Sequence, residues 1–250
     1  MLEALTPDTV WMLLACSVAF VLGGLVKGTL GVGLPLVAVP LLSLILGGHR
    51  AIALVVAPVI YSNVLQAWEG GLLKDSVRRF WPMMLAQSVF TVLTIQLTLG
   101  LSARDFNQMV AFSVLLALAL MTFTPQFTIS PRSEKWASAL VGGLSGLMGG
   151  VSSLTGPIII TYMMSLKLQR EEFVGCISII YLAAAVPMYL AMYGYGRMEN
   201  ADLIGSVIGL VPMALGLAAG KRLRNRLSEK AFRQVLYVFL LILSVLLVVR

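Results

Sequence analysis

The sequence predicts an all-α membrane protein that crosses a lipid bilayer many times and consists of two inverted-topology repeats. Three observations support this fold class. Of the 250 residues, 59% are hydrophobic and only 12% are charged, which is about half the charge of a typical soluble domain. Uncharged apolar runs of about 18 residues or more recur along the chain, as in transmembrane helices. Two glycine-rich stretches, residues 22–35 and 141–157, lie at matching places in the two halves.

We place ten apolar segments in order along the chain, five in each half. Segments 1 to 5 cover approximately residues 11–27, 35–46, 52–68, 80–99 and 106–123. Segments 6 to 10 cover approximately residues 136–151, 157–166, 173–192, 203–219 and 232–249. The first transmembrane repeat is therefore expected in residues 1–124, a cytoplasmic linker in residues 125–135, and the second repeat in residues 136–250.

Segments 2 and 7 are too short to span a bilayer, which takes about 20 helical residues. Each follows a glycine-rich break and opens on a proline, Pro35 or Pro157. We therefore expect the first two segments of each repeat to form a broken-helix hairpin inside the membrane, where irregular backbone must be buried or line a cavity. The glycines that begin or border these hairpins are Gly23, Gly24, Gly142, Gly143, Gly149 and Gly150. Close helix packing is the alternative role for them, but two breaks at matching places favour hairpins.

The two halves also match elsewhere in sequence. Residues 101–108 and 227–234 share Leu, Ser, Phe and Gln without gaps, and they open segments 5 and 10. Arg50 and Arg170 open the third segment of their halves, with Tyr61 and Tyr181 in register behind them. Because each half holds an odd number of segments, the halves are expected to lie in opposite orientations.

The distribution of basic residues fits these orientations. Loops after even-numbered segments contain only Arg50, Arg104 and Arg197, whereas the other loops hold most of the lysines and arginines. The positive-inside rule then places the basic loops in the cytoplasm and both termini on the periplasmic side. The net charge of +7 is thus explained by topology, and we expect no nucleic-acid partner.

Lys27 is the strongest candidate for a functional residue. It lies between apolar segments beside a break, with no acidic residue near it in sequence. A cation at membrane depth costs several kcal/mol unless it is solvated or paired, and a bound anion would offset that cost. The alternative is that segment 1 ends early and the Lys27 side chain reaches the cytoplasmic surface.

Other polar groups are expected to join Lys27 in a substrate site. The half-helix N-termini at Pro35 and Pro157 offer free N–H groups that bind oxyanions, and glycines allow the backbone to approach a ligand. The predicted site comprises Lys27, Gly28, Thr29, Gly31, Gly33, Tyr61, Asn63, Gln66, Ser152, Ser153, Thr155, Gly156 and Tyr181. Helix capping by the hydroxyls and helix–helix hydrogen bonding by Asn63 and Gln66 are the alternatives.

Several functional classes lack support in the sequence. There is no nucleotide-binding glycine loop of the Gly-x-x-x-x-Gly-Lys type, and His49 is the only histidine, so we expect neither a metal site nor a cofactor. No nucleophile–base pair indicates an enzyme. No Asp or Glu lies deep in an apolar segment; if transport is coupled to protons, the proton travels on the anion or enters near Glu69, Asp75 or Glu199.

The paired glycine hairpins and the five-plus-five arrangement resemble the TauE/SafE family of sulfite exporters, also called the 4-toluene sulfonate uptake permeases. The resemblance extends over essentially the whole chain and is carried by Gly23, Gly24, Gly28, Gly31, Gly33 and Pro35, then Gly142, Gly143, Gly146, Gly149, Gly150, Gly156 and Pro157. It implies a carrier of sulfite, sulfonates or related small organic anions in a bacterial inner membrane. The hairpins of the family are richer in glycine than those of this chain, which has Lys27, Ser152, Ser153 and Thr155 in the breaks. We expect these four residues to tune which substrate is bound.

We therefore predict a secondary transporter, acting as an exporter, whose two halves alternate access around a midplane site for a small organosulfur or sulfite-type anion. The alternatives are a passive anion channel, a carrier of small carboxylates such as C2 organic acids, and a non-transporting membrane subunit. The expected partners are the anion and the lipid bilayer, and the oligomeric state is left open, a homodimer included.

Overall fold

The computed structural model describes residues 7–71, 73–122, 129–130, 132–166, 168 and 170–224, together with positions 234, 238, 241, 242 and 246. The ordered elements within these ranges are ten α-helices without a strand: α1 Pro7–Leu30, α2 Leu34–Leu46, α3 Gly48–Leu54, α4 Val56–Gly70, α5 Leu73–Leu97, α6 Ala103–Thr122, α7 Glu134–Ser152, α8 Gly156–Ser165, α9 Arg170–Gly194 and α10 Asn200–Leu223. The prediction of an all-helical chain is confirmed for this part of the protein.

Five helical stretches are long and apolar enough to cross a membrane: Asp8–Leu30, Gly48–Gly70, Leu73–Leu97, Glu172–Gly194 and Asn200–Leu223. The helices α2 and α8 have 13 and 10 residues, which is short of a span, as the sequence predicts. The helices α6 and α7 have 20 and 19 residues and are not among the five. Segment 10 lies outside the described residues except for five isolated positions.

Segment 3 differs from its prediction because it is interrupted. The helix α3 ends at Leu54 and α4 begins at Val56, with Val55 between them. The Ala57 N–H at the start of α4 donates a 2.8 Å hydrogen bond to the Ser206 hydroxyl of α10. A side chain from a neighbouring helix thus satisfies a backbone group that the interruption frees, as membrane-spanning helices require.

Most of the predicted hairpin glycines lie inside helices and serve close packing, so the alternative interpretation holds for them. A Cβ atom on Gly24 would lie 2.2 Å from the Met213 carbonyl oxygen of α10, and one on Gly28 2.3 Å from that of Leu217. The backbones of α1 and α10 therefore touch, which only glycine permits. Gly23 faces α2 in the same manner, where its Cβ would lie 3.0 Å from the Cβ of Ala38.

The helices α7 and α5 pack through an equivalent glycine face. A Cβ atom on Gly142 would lie 2.3 Å from the Met83 carbonyl oxygen, and one on Gly146 2.5 Å from that of Gln87. The remaining glycines of this stretch face side chains. Gly143 faces Phe90, Gly149 faces Thr155, and Gly150 faces Thr94. Within the two glycine-rich stretches, irregular backbone is consequently confined to residues 31–33 and 153–155.

Contacts between helices define their relative directions. The order of the glycine contacts shows that α1 runs parallel to α10 and that α5 runs parallel to α7. The helices α3 and α4 also run parallel to α10, through Arg50–Asp202 and Glu69–Lys221. The helix α9 runs parallel to α5, through the contacts Ser76–Cys176 and Ser88–Ala183.

The helix pair at the centre of the bundle is antiparallel. The Ser178 hydroxyl of α9 donates a 3.0 Å hydrogen bond to the Gln66 side-chain oxygen of α4. Towards the end of α4, a Cβ atom on Gly175 would lie 3.1 Å from the Cα atom of Gly70. It follows that α1, α4 and α10 point one way, and that α5, α7 and α9 point the other.

Candidate functional site

The two backbone breaks border one cavity between α4 and α9. Its volume is about 50 Å³, which is more than a single water needs. The polar residues and helix starts around it are Lys27, Gly33, Pro35, Ser62, Asn63, Thr91, Ser153, Thr155, Gly156, Pro157, Tyr181 and Tyr189. The remaining lining is apolar.

The backbone of each break turns through a left-handed conformation. Gly31 and Gly33 have φ of 84° and 94°, and Ser153 has φ of 60°. Ser153 is the one non-glycine residue with positive φ in the part of the chain that the structure describes. Such a conformation costs about 1–3 kcal/mol and is concentrated at functional sites, so Ser153 marks this break as a constrained element.

Two helices begin at the cavity. Pro35 and Pro157 lie in the first turns of α2 and α8, where the missing N–H of proline costs no hydrogen bond. Neither Gly33 nor Thr155, the residues before these helices, provides a side-chain cap. The first-turn N–H groups, which have no partner within a helix, are therefore available at the cavity.

Lys27 is buried in the last turn of α1, with 2% of its surface exposed. Its Nζ donates a 2.7 Å hydrogen bond to Asn63 Oδ1 and lies 6.0 Å from the centre of the Tyr181 ring. Its partner is thus neutral, and no acidic residue is present among the described residues that line the cavity. The side chain does not reach the surface, contrary to the alternative in which it extends to the cytoplasmic face.

Asn63 is held in one orientation. Its Nδ2 donates a 2.8 Å hydrogen bond to the Val59 carbonyl oxygen one turn earlier in α4. Since the amide nitrogen is used in this way, the amide oxygen must point towards Lys27. Asn63 therefore positions the amine at the edge of the cavity.

Two tyrosine hydroxyls on α9 complete the polar lining. The hydroxyls of Tyr181 and Tyr189 are buried, and neither forms a hydrogen bond of good geometry with the described residues, although Ser153 lies beside Tyr189. The Tyr181 hydroxyl lies 3.0 Å from where a Cβ of Gly156 would be, at the start of α8. Buried polar groups normally have partners, so both hydroxyls are suited to bind a ligand or water.

Several predicted site residues lie away from the cavity. Tyr61 is 47% exposed on the outer face of α4, because residues two apart on a helix point in nearly opposite directions and Asn63 takes the inner face. Gln66 accepts its hydrogen bond from Ser178 in the α4–α9 contact. Ser152 and Thr29 donate to carbonyl oxygens of their own helices, those of Met148 and Leu25.

Two predicted glycines also belong to packing surfaces. Gly28 packs against α10, and Gly31 faces the Val174 side chain, 2.9 Å from where its Cβ would be. The structure brings together at the cavity Lys27, Gly33, Asn63, Ser153, Thr155, Gly156 and Tyr181, with the helix starts Pro35 and Pro157.

Sequence reasoning missed Ser62, Thr91 and Tyr189 as lining residues. A signal was present for Tyr189, because it lies eight residues after Tyr181 on α9, and residues two turns apart share a helix face. No comparable pattern indicates Thr91, which reaches the cavity only because α5 packs closely against α7.

Comparison with known proteins agrees with this architecture. The model of the family described as "Sulfite exporter TauE/SafE" matches residues 16–247. No curated protein and no solved structure matches the chain. The members of this family are membrane transporters and not enzymes, which agrees with the apolar, multi-pass helical fold. A match over nearly the whole chain shows that this protein belongs to the TauE/SafE sulfite exporter family.

Proposed function

We propose that the chain is a secondary transporter that exports small organosulfur or sulfite-type anions through the cavity between its two breaks. The observation that carries this proposal is the buried amine of Lys27, whose only hydrogen-bond partner in the described structure is neutral. A buried cation without a counter-charge is costly, and an anion in the cavity would supply the missing charge.

The surrounding groups suit an oxyanion. The uncapped first turns of α2 and α8 present partial positive charge. The hydroxyls of Tyr181, Tyr189 and Ser153 can donate hydrogen bonds to ligand oxygens. A sulfite or sulfonate group with its several oxygens can use these donors and Lys27 at the same time.

The directions of the helices support two inverted repeats, residues 1–124 and 136–250, joined by residues 125–135. The helices α1, α4 and α5 of the first half correspond in order to α7, α9 and α10 of the second half, and each pair points in opposite directions. The glycine contacts follow the same pattern, since α1 packs on α10 of the other half and α7 packs on α5. Such repeats rock against each other around a fixed site in many transporters, which supports alternating access here.

The charged ends of the bundle support the proposed orientation in a bacterial inner membrane. Lys221 pairs with Glu69 and Arg79 with Glu134 at one end, where the described parts of the basic loops assigned to the cytoplasm also lie. Arg50 and Asp202 pair at the opposite end. Both termini are then on the periplasmic side.

The structure favours a proton carried on the anion over one that enters at a rim carboxylate. Glu69 accepts a hydrogen bond from Lys221, and the Glu199 side chain takes part in the capping box of α10. Asp75 lies in the first turn of α5. None of these three carboxylates lines the cavity.

Counterflow in proteoliposomes tests the proposal. Vesicles loaded with unlabelled sulfite or isethionate should accumulate the same labelled anion, with saturation, because a carrier exchanges its substrates. The Lys27→Ala variant should lose this exchange, whereas Lys74→Ala, an exposed lysine on α5, should keep it. Flux that is linear in concentration without counterflow would instead indicate a channel, and exchange of acetate alone would indicate a carboxylate carrier.

A further inference from the structure

We infer that the cavity selects anions with a single negative charge and excludes dianions of the same shape. This inference rests on the proposed function and adds the charge of the substrate to it. It follows from an asymmetry between the two breaks, from the position of the other cations, and from the walls of the cavity.

The two breaks begin with the same backbone turn but differ in charge. The N–H of Gly31 donates a 2.8 Å hydrogen bond to the Lys27 carbonyl oxygen, and the N–H of Ser153 donates a 2.7 Å bond to that of Gly149. Lys27 and Gly149 therefore occupy the same place, four residues before the left-handed residue of each break. At this position one break thus supplies an amine, whereas the other has a glycine and supplies no side chain.

Space around Gly149 explains why the second break is uncharged. A Cβ atom on Gly149 would lie 2.4 Å from the Cγ2 methyl of Thr155, so a longer side chain cannot fit there without moving Thr155. The methyl group of Thr155 fills the space that a second lysine would need. Lys27 is therefore the only side chain among the described residues lining the cavity that can carry a full positive charge.

No other cation in the described structure adds a second positive charge at the cavity. The titratable side chains that line the cavity are Lys27, Tyr181 and Tyr189. Lys221 on α10 is 39% exposed and paired with Glu69, and Arg79 on α5 is 43% exposed and paired with Glu134. These cations belong to the end of the bundle, and their charges are already matched.

The rest of the wall would leave a second negative charge unpaired. Leu34, Val59, Ile160, Ala185 and Met188 contribute apolar surface to the cavity. The helix N-termini add only partial charge, and the prolines in their first turns remove one N–H donor each. Transfer of an unpaired charge from water into such surroundings is strongly unfavourable, so a dianion should bind much more weakly than a monoanion.

Three tetrahedral ligands of similar size test the inference on the full chain in detergent. Methanesulfonate and dimethylphosphinate are monoanions, whereas methylphosphonate is a dianion at about pH 8.5 because a phosphoryl group loses its second proton near neutral pH. Dissociation constants can be measured from ligand-dependent thermal shifts. Because all three are compared at one pH, the protonation of the protein is the same throughout.

We expect the two monoanions to bind with comparable affinity and methylphosphonate to bind about fivefold more weakly or worse, since a small monoanionic fraction of it remains at this pH. Methylphosphonate should recover relative to methanesulfonate at about pH 5.5, where it too is a monoanion. Equal binding of all three ligands at about pH 8.5 would overturn the charge selectivity alone. A lack of binding by all three would overturn the proposed anion site and the selectivity together.

Discussion

The Nζ of Lys27 and the Oδ1 of Asn63 are 2.7 Å apart in the interior of the bundle, where both side chains are almost fully buried. One comes from the last turn of α1 and the other from the middle of α4. The pair joins the first break to the central α4–α9 contact. Because the partner of the amine is an amide and not a carboxylate, the positive charge of Lys27 is left for a ligand.

Replacement of Asn63 by Asp tests the need for a neutral partner. The carboxylate has the same shape as the amide but pairs with Lys27 and cancels its charge. We expect the affinity for sulfite to fall at least about tenfold, while the fold is retained. Asn200→Asp, at an exposed position at the start of α10, is the matched control, and similar losses in both variants would contradict the assigned role of Asn63.

Tyr181→Phe separates ligand binding from stability. The buried hydroxyl has no hydrogen-bond partner among the described residues, so its removal should leave the free energy of unfolding of the ligand-free protein unchanged or raise it. If the hydroxyl donates to the anion, affinity should fall about tenfold. Thermal unfolding with and without sulfite measures both effects. Tyr61→Phe, on the exposed face of α4, should change neither, and an unchanged ligand-induced shift in Tyr181→Phe would remove this hydroxyl from the site.

Gly156→Ala tests the contact between α8 and Tyr181. The added Cβ would lie 3.0 Å from the Tyr181 hydroxyl, so the tyrosine must move and anion binding should weaken. Combined with Tyr181→Phe, the same change should cost less, because the clashing oxygen is gone. A double-mutant cycle should give a coupling energy of about 1 kcal/mol; additive effects would mean that the two residues do not interact.

Gly24→Val tests the close contact of α1 with α10. Its Cβ would lie 2.2 Å from the Met213 carbonyl oxygen, so the two helices must separate. We expect a loss of about 2 kcal/mol or more in stability, which corresponds to a melting temperature lower by about 5 °C. Gly100→Val is the control, because no atom lies within 4 Å of its added Cβ. Equal melting temperatures for the two variants would exclude a tight α1–α10 interface.

The sequence predicted the helix starts and the position of Lys27 well, because the physical signals there are local. A proline after a glycine-rich break begins a helix wherever it occurs, as at Pro35 and Pro157. A lysine in an apolar run is costly in any fold, which singles out Lys27. These features need no knowledge of the neighbouring helices.

The glycines could not be assigned in the same way, because their role depends on tertiary contacts. Glycine favours the end of a helix by intrinsic propensity, yet α1 continues through Gly24 and Gly28 to Leu30. Packing against the backbone of α10 decides this outcome. Counted back from the left-handed residues Gly31 and Ser153, Gly24 corresponds to Gly146, and both face a carbonyl oxygen of the neighbouring helix.

The most direct measurement is the location of a bound anion. Selenite is a pyramidal oxyanion like sulfite, and its selenium can be located by anomalous X-ray scattering from crystals of the full chain. The proposed site predicts an anomalous peak within hydrogen-bonding reach of Lys27 Nζ and beside the first turn of α8, and no peak there in Lys27→Ala crystals. A peak at another position, or one that persists without the lysine, would contradict an anion site between the two breaks.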